Sequence, residues 1–105
     1  MAKRQLFAVT TPLGHRVVLT RDRWREIVRY KHPALAGHDG DVQDCLSDPD
    51  MIRASAKDPD THLYYRTVNR GVLCVVVGGE DPQHRFVITA YFTQSPKKGH
   101  DLWTK

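Results

Sequence analysis

The sequence predicts an α+β fold, with an N-terminal hairpin and two helices packed on one face of a four-stranded antiparallel sheet, all in one domain spanning residues 1–105. Three observations predict it. From Met51 to Thr93 the chain is a series of strand-length runs divided by turn residues, whereas helical periodicity is confined to two segments before Pro49. The run HRFVITAYFT separates at period two into Phe86, Ile88, Ala90 and Phe92 on one face and Arg85, Val87, Thr89 and Tyr91 on the other, as a half-buried strand does. A chain of 105 residues has room for one modest core.

The elements follow in order. QLFAVT and HRVVLT, joined across TPLG, form a hairpin in which Pro12 and Gly14 supply the turn. TRDRWREIVRYKHP is a helix capped by Thr20 or Asp22, with Trp24, Ile27, Val28 and Lys31 at the spacing of a buried stripe. Arg21, Arg25 and Arg29 lie four apart on its solvent side, and Pro33 ends it because the residue before a proline resists helical geometry. After the connection ALAGHD, GDVQDCLSDP is a second, short helix with Val42, Cys45 and Leu46 inward, closed by Pro49. MIRAS, HLYYRTV, GVLCVVV and HRFVITAYFT then make the meander, whose other face is open or partly covered by the C-terminal tail.

Composition narrows the function. Sixteen Lys and Arg against twelve Asp and Glu give a net charge of +4, which favours a polyanionic partner. The charge is unevenly spread: arginines crowd residues 21–29, Lys97 and Lys98 adjoin, and Asp39, Asp41, Asp44, Asp48 and Asp50 cluster between them. No apolar run approaches the roughly 20 residues that span a bilayer, and no long apolar stretch of an export signal follows Met1, so a cytoplasmic protein without a membrane partner is expected. Cys45 and Cys74, the two cysteines, share no ligand or redox spacing, and Cys74 reads as a small hydrophobe in VLCVVV. No His, Cys or Asp spacing fits a metal template, no glycine-rich loop precedes a helix to cradle phosphate, and no serine occupies a nucleophile elbow, so neither a metal nor a cofactor is expected.

Parity then sorts the sheet. Placing Leu63, Tyr65 and Thr67 towards the helices leaves Arg53, His62, Tyr64, Arg66, Arg85, Thr89 and Tyr91 on the open face. Guanidinium groups bind phosphate oxygens in bidentate fashion and offset charge built up in a phosphoryl transition state. The same residues would equally suit cross-strand Arg–Tyr pairing with no catalytic consequence.

His32-Pro33 at the helix end, LYYR at Leu63 to Arg66, ITAY at Ile88 to Tyr91 and the tail KKG…LW, Lys97 to Gly99 then Leu102-Trp103, resemble small phage and mobile-element domains of the barnase–EndoU–colicin–RelE superfamily. The resemblance runs from about Val17 to Trp103. It implies a RelE-like fold and metal-independent RNA cleavage, in which the ribose 2′-hydroxyl attacks the neighbouring phosphorus and leaves a 2′,3′-cyclic phosphate. It implies His32 as base, Arg53 and Arg66 as phosphate clamp, Thr89 and Tyr91 as orienting groups, and Tyr91 or Lys98 as acid. Tyr64, Arg85, Lys97 and Lys98 would help to bind substrate. The five aspartates depart from the ribosome-dependent members, which are richer in Lys and Arg. The partners implied are RNA and, for a toxin, an inhibitory antitoxin protein. The alternative is a non-catalytic module of the same fold that binds RNA or protein, and a third reading is a phage-borne inhibitor of a host protein.

Overall fold

A computed structural model of the chain describes residues 4–69 and 71–105. Seven strands, β1 (Gln5–Thr10), β2 (Arg16–Thr20), β3 (Met51–Ser55), β4 (His62–Val68), β5 (Gly71–Gly78), β6 (Arg85–Thr93) and β7 (Gly99–Thr104), form a single sheet in the order β1-β2-β6-β5-β4-β3-β7. The pairings are antiparallel except that β2 runs parallel to the start of β6, with Val17 opposite Arg85 and Val18 opposite Phe86. The expected four-stranded antiparallel sheet is therefore overturned: the sheet is mixed and has seven strands.

Two features account for the difference. The N-terminal hairpin does not lie over the sheet but joins it, extending the β6 edge. The tail pairs with β3 as a strand, although five of its six residues are exposed. A strand held by backbone pairing at an edge buries too little for hydrophobic alternation to reveal it. Where β7 begins, a side chain on Gly99 would run into the carbonyl oxygen of Ala54, so only glycine lets the two strands approach so closely.

The helical segments follow their local signals. Thr20 accepts the Arg23 N–H at 3.2 Å and caps α1 (Arg21–Glu26). The same helix continues as a π-helical turn, Ile27–Lys31, closed by the His32 N–H on the Ile27 carbonyl at 2.7 Å. That i→i+5 turn carries one extra residue. Lys31 is consequently exposed instead of continuing the stripe of Trp24, Ile27 and Val28. A single 3₁₀ turn, Pro33–Leu35, leads to α2 (Asp39–Ser47), whose Val42, Cys45 and Leu46 are fully buried.

The main core packs these helical side chains against Val17, Leu19, Ile52, Tyr64, Leu73, Val75, Val77, Val87 and Ala90. A smaller cluster, Leu63, Tyr65 and Cys74 with Met51, Val72, Val76 and Tyr91 around it, occupies the sheet's other face. The β5–β6 register slips between Val76 and Val77: Val76 faces Thr89, whereas Val77 faces Val87, leaving Ile88 as an extra residue. This bulge inverts parity along β6. Val87 before it and Ala90 after it therefore both point into the main core.

Candidate active site

The face opposite the helices is assembled from rows of residues directly opposite each other across the strands, about 4.8 Å apart from strand to strand. One row runs Tyr91, Cys74, Tyr65, Met51, and the next runs Thr89, Val76, Leu63, Arg53, Asp101. Because β2 ends early, α1 continues along the free stretch of the β6 edge and delivers His32 to Tyr91. Their ring centroids are 5.7 Å apart with the planes tilted by 35°.

The segment between β6 and β7 crosses this face and is pinned at Lys97. Its N–H donates to Tyr65 Oη at 2.9 Å, and its carbonyl accepts from Arg53 Nη1 at 2.8 Å. Arg53 is itself fixed by an ion pair from Nε to Asp101 Oδ1 at 2.6 Å. With its backbone held on both sides, Lys97 places its ammonium 5.4 Å from the centroid of the Tyr91 ring. An imidazole, a phenol and a cation thus meet at Tyr91.

The electrostatics keep the phenols protonated. Burial pushes the Tyr91 phenol well above its ordinary value, and the adjacent Cys74 thiol adds to the shift. Burial raises Tyr65 to about 12, against a smaller opposing effect of the Lys97 N–H that it accepts. Burial likewise raises Cys74, which behaves as a packed thiol rather than a nucleophile. Thr89 Oγ1 is buried and makes no hydrogen bond among the described residues, and the buried Tyr91 Oη has only the weak acceptor Cys74 Sγ. Buried hydroxyls so poorly partnered are unusual.

Of the residues expected in a site, His32, Arg53, Thr89, Tyr91 and Lys97 come together here, and Lys98 is exposed beside Lys97. Tyr64, Arg66 and His62 do not join them, because β4 has the parity opposite to the expected one, and Arg85 is turned away by the β6 bulge. Tyr64 is fully buried in the main core and donates from Oη to Thr11 Oγ1 at 2.9 Å. Arg66 turns to the helix side, where Nη1 pairs with the Asp48 carboxylate at 3.0 Å and with the Asp48 carbonyl. It borders a 220 Å³ cavity lined also by His38, Asp41 and Asp44. Arg85 precedes the bulge and is buried on the helix side, donating from Nη1 to the Asp60 carbonyl at 3.0 Å. Tyr65, Cys74 and Asp101 complete the site without having been expected there. The signal for Tyr65 was its neighbour: one of two adjacent tyrosines in a strand must face each side.

No family model, curated protein or solved structure matches the chain. Among the described residues, no group of three or more His, Cys, Asp or Glu could hold a metal ion, and no helix is long and apolar enough to cross a membrane.

Proposed function

We propose that the chain is an endoribonuclease-like domain that cleaves RNA at the face of Tyr91 by 2′-hydroxyl transesterification without a metal ion. The observation that carries this reading is the meeting of His32 and Lys97 on the Tyr91 ring. Histidine is the side chain that exchanges protons near neutral pH, so His32 takes the 2′-hydroxyl proton as the new bond to phosphorus forms. The Lys97 ammonium meets the negative charge that grows on the phosphoryl oxygens. As the bond from phosphorus to the 5′-oxygen breaks, the protonated Tyr91 phenol supplies a proton to the leaving oxygen and regains one from water. Arg53, with Nε and Nη1 both engaged, acts by holding Lys97 in place rather than as a free phosphate clamp.

The charge distribution agrees with a polyanionic substrate. Arg21, Arg25 and Arg29 are exposed along the helix whose C-terminal end is His32, so a basic ridge leads to the site. The test is incubation of purified protein with total RNA, transfer RNA and ribosomes in excess EDTA, beside His32→Ala, Tyr91→Phe and Lys97→Ala. Cleavage with cyclic-phosphate ends by wild type, reduced about 100-fold or more in His32→Ala, is the expected result. Cleavage undiminished in His32→Ala would overturn the site. Intact RNA that is nonetheless bound, with a salt slope set by phosphate contacts, would assign the same face to a non-catalytic RNA-binding module.

A further inference from the structure

A second cluster lies on the helix side of the sheet, where the β1–β2 turn meets the first residues of β4 and β6. Arg85 is only 5% exposed, yet its guanidinium makes one hydrogen bond, from Nη1 to the Asp60 carbonyl, and its Nε has no partner. No ion pair engages it among the described residues. Beside it, the rings of His15 and His62 stack with centroids 5.6 Å apart and planes 21° from parallel. His62 is 6% exposed, and Nδ1 of each ring is buried without a hydrogen bond. Two unpartnered buried imidazole nitrogens therefore adjoin a guanidinium that has an unpartnered nitrogen of its own and no carboxylate partner among the described residues. Burying a charge without a partner is costly, and buried polar atoms in folded proteins are nearly always paired.

We propose that Arg85, His62 and His15 form a binding site for a phosphate monoester or free phosphate. The Nε side of the guanidinium is the part of the fork suited to two oxygens of one oxyanion, and it is unused. The imidazole nitrogens offer further donors from a different direction, which suits a tetrahedral oxyanion with three free oxygens better than a planar carboxylate. Arg85 and His62 are almost fully buried and His15 is half-buried, so a terminal phosphate group suits the cluster better than an internal phosphodiester flanked by sugars on both sides. The groups facing the two imidazoles are Arg85 and, for His62, His15 and the Asp60 carboxylate. Burial and then Arg85 lower both histidines, and a bound dianion would raise them. This site is separate from the Tyr91 face and does not depend on RNA cleavage.

The experiment is a titration of the full chain with inorganic phosphate at constant ionic strength, at about pH 8 where phosphate is a dianion, following the histidine ring resonances by NMR. Saturable shifts of His15 and His62 are expected, weakened about tenfold or more in Arg85→Lys, which keeps the charge but loses the fork. His15→Gln, at the half-buried position, provides a second variant should Arg85→Lys not fold, and it too is expected to weaken binding. A nucleoside 5′-monophosphate that saturates the same shifts identifies a monoester ligand, whereas saturation by inorganic phosphate alone identifies the free ion. Shifts that do not saturate, that are unchanged in both variants, or that an internal dinucleoside phosphodiester reproduces equally would overturn the proposal.

Discussion

At Tyr91, a buried hydroxyl with only the weak acceptor Cys74 Sγ as partner sits beside His32 and Lys97. Removing it costs the resting fold little in hydrogen bonding, so Tyr91→Phe is expected to stay within about 0.5 kcal/mol of wild-type stability while RNA cleavage falls. Parallel denaturant and cleavage assays check this, and a large loss of stability would mean the hydroxyl is structural. Its counterpart across the sheet is Tyr64, whose Oη is bonded to Thr11 Oγ1 in the main core. Tyr64→Phe removes this buried bond and leaves Thr11 Oγ1 with only the longer bond from the Leu13 N–H at 3.3 Å, so a destabilisation of about 1 kcal/mol is expected with the Tyr91 face intact. The two tyrosines of LYYR show where sequence reading stops at this scale. Alternation says that they face opposite sides but not which side is which, and here both sides are covered, so the more apolar set is no guide. His32 was placed by its position at a helix end, and Thr89 and Tyr91 share a face because both lie beyond the β6 bulge, where period two holds.

Among the elements, β7 is the one that the site depends on most and the one that the sequence disclosed least. It carries Asp101, which fixes Arg53, which in turn fixes the Lys97 carbonyl. Its start at Gly99 tolerates no side chain against Ala54. Gly99→Ala is therefore expected to push the strand off β3 and free Lys97 without disturbing β4, β5 and β6. Hydrogen exchange should show faster exchange for β7 amides only, accompanied by weaker cleavage. Uniform loss of protection across the sheet would contradict this division of labour. The β6 bulge is similarly invisible in sequence: strict period two over HRFVITAYFT put Arg85 and Thr89 on one face, and the extra residue Ile88 separates them. The hairpin, both helices and the position of Pro33 as a stop were legible because capping and turn chemistry are local.

For the whole molecule, the uneven charge read from sequence persists as an arginine ridge on α1 and an aspartate-bearing side around α2. The mixed topology was not legible, since nothing local specifies that β2 should lie parallel to β6. It is this junction that buries Arg85 and stacks His62 on His15, from which an acid-sensitive fold is expected. Burial first, then Arg85 and His15, lower His62 from 6.5 to about 4, and the same first two causes lower His15. A histidine with a lowered pKa binds its proton more weakly folded than unfolded, so the unfolded chain holds the extra proton between these values. Stability is thus fully present above the ordinary histidine range and falls as the pH drops towards about 4, by on the order of 2 kcal/mol for His62. Urea midpoints in chloride across that window should decline with acidification, and His62→Gln should flatten the decline. A midpoint that stays level in wild type would mean that the folded protein already carries the proton, which the neighbouring guanidinium and the closed surroundings of His62 oppose.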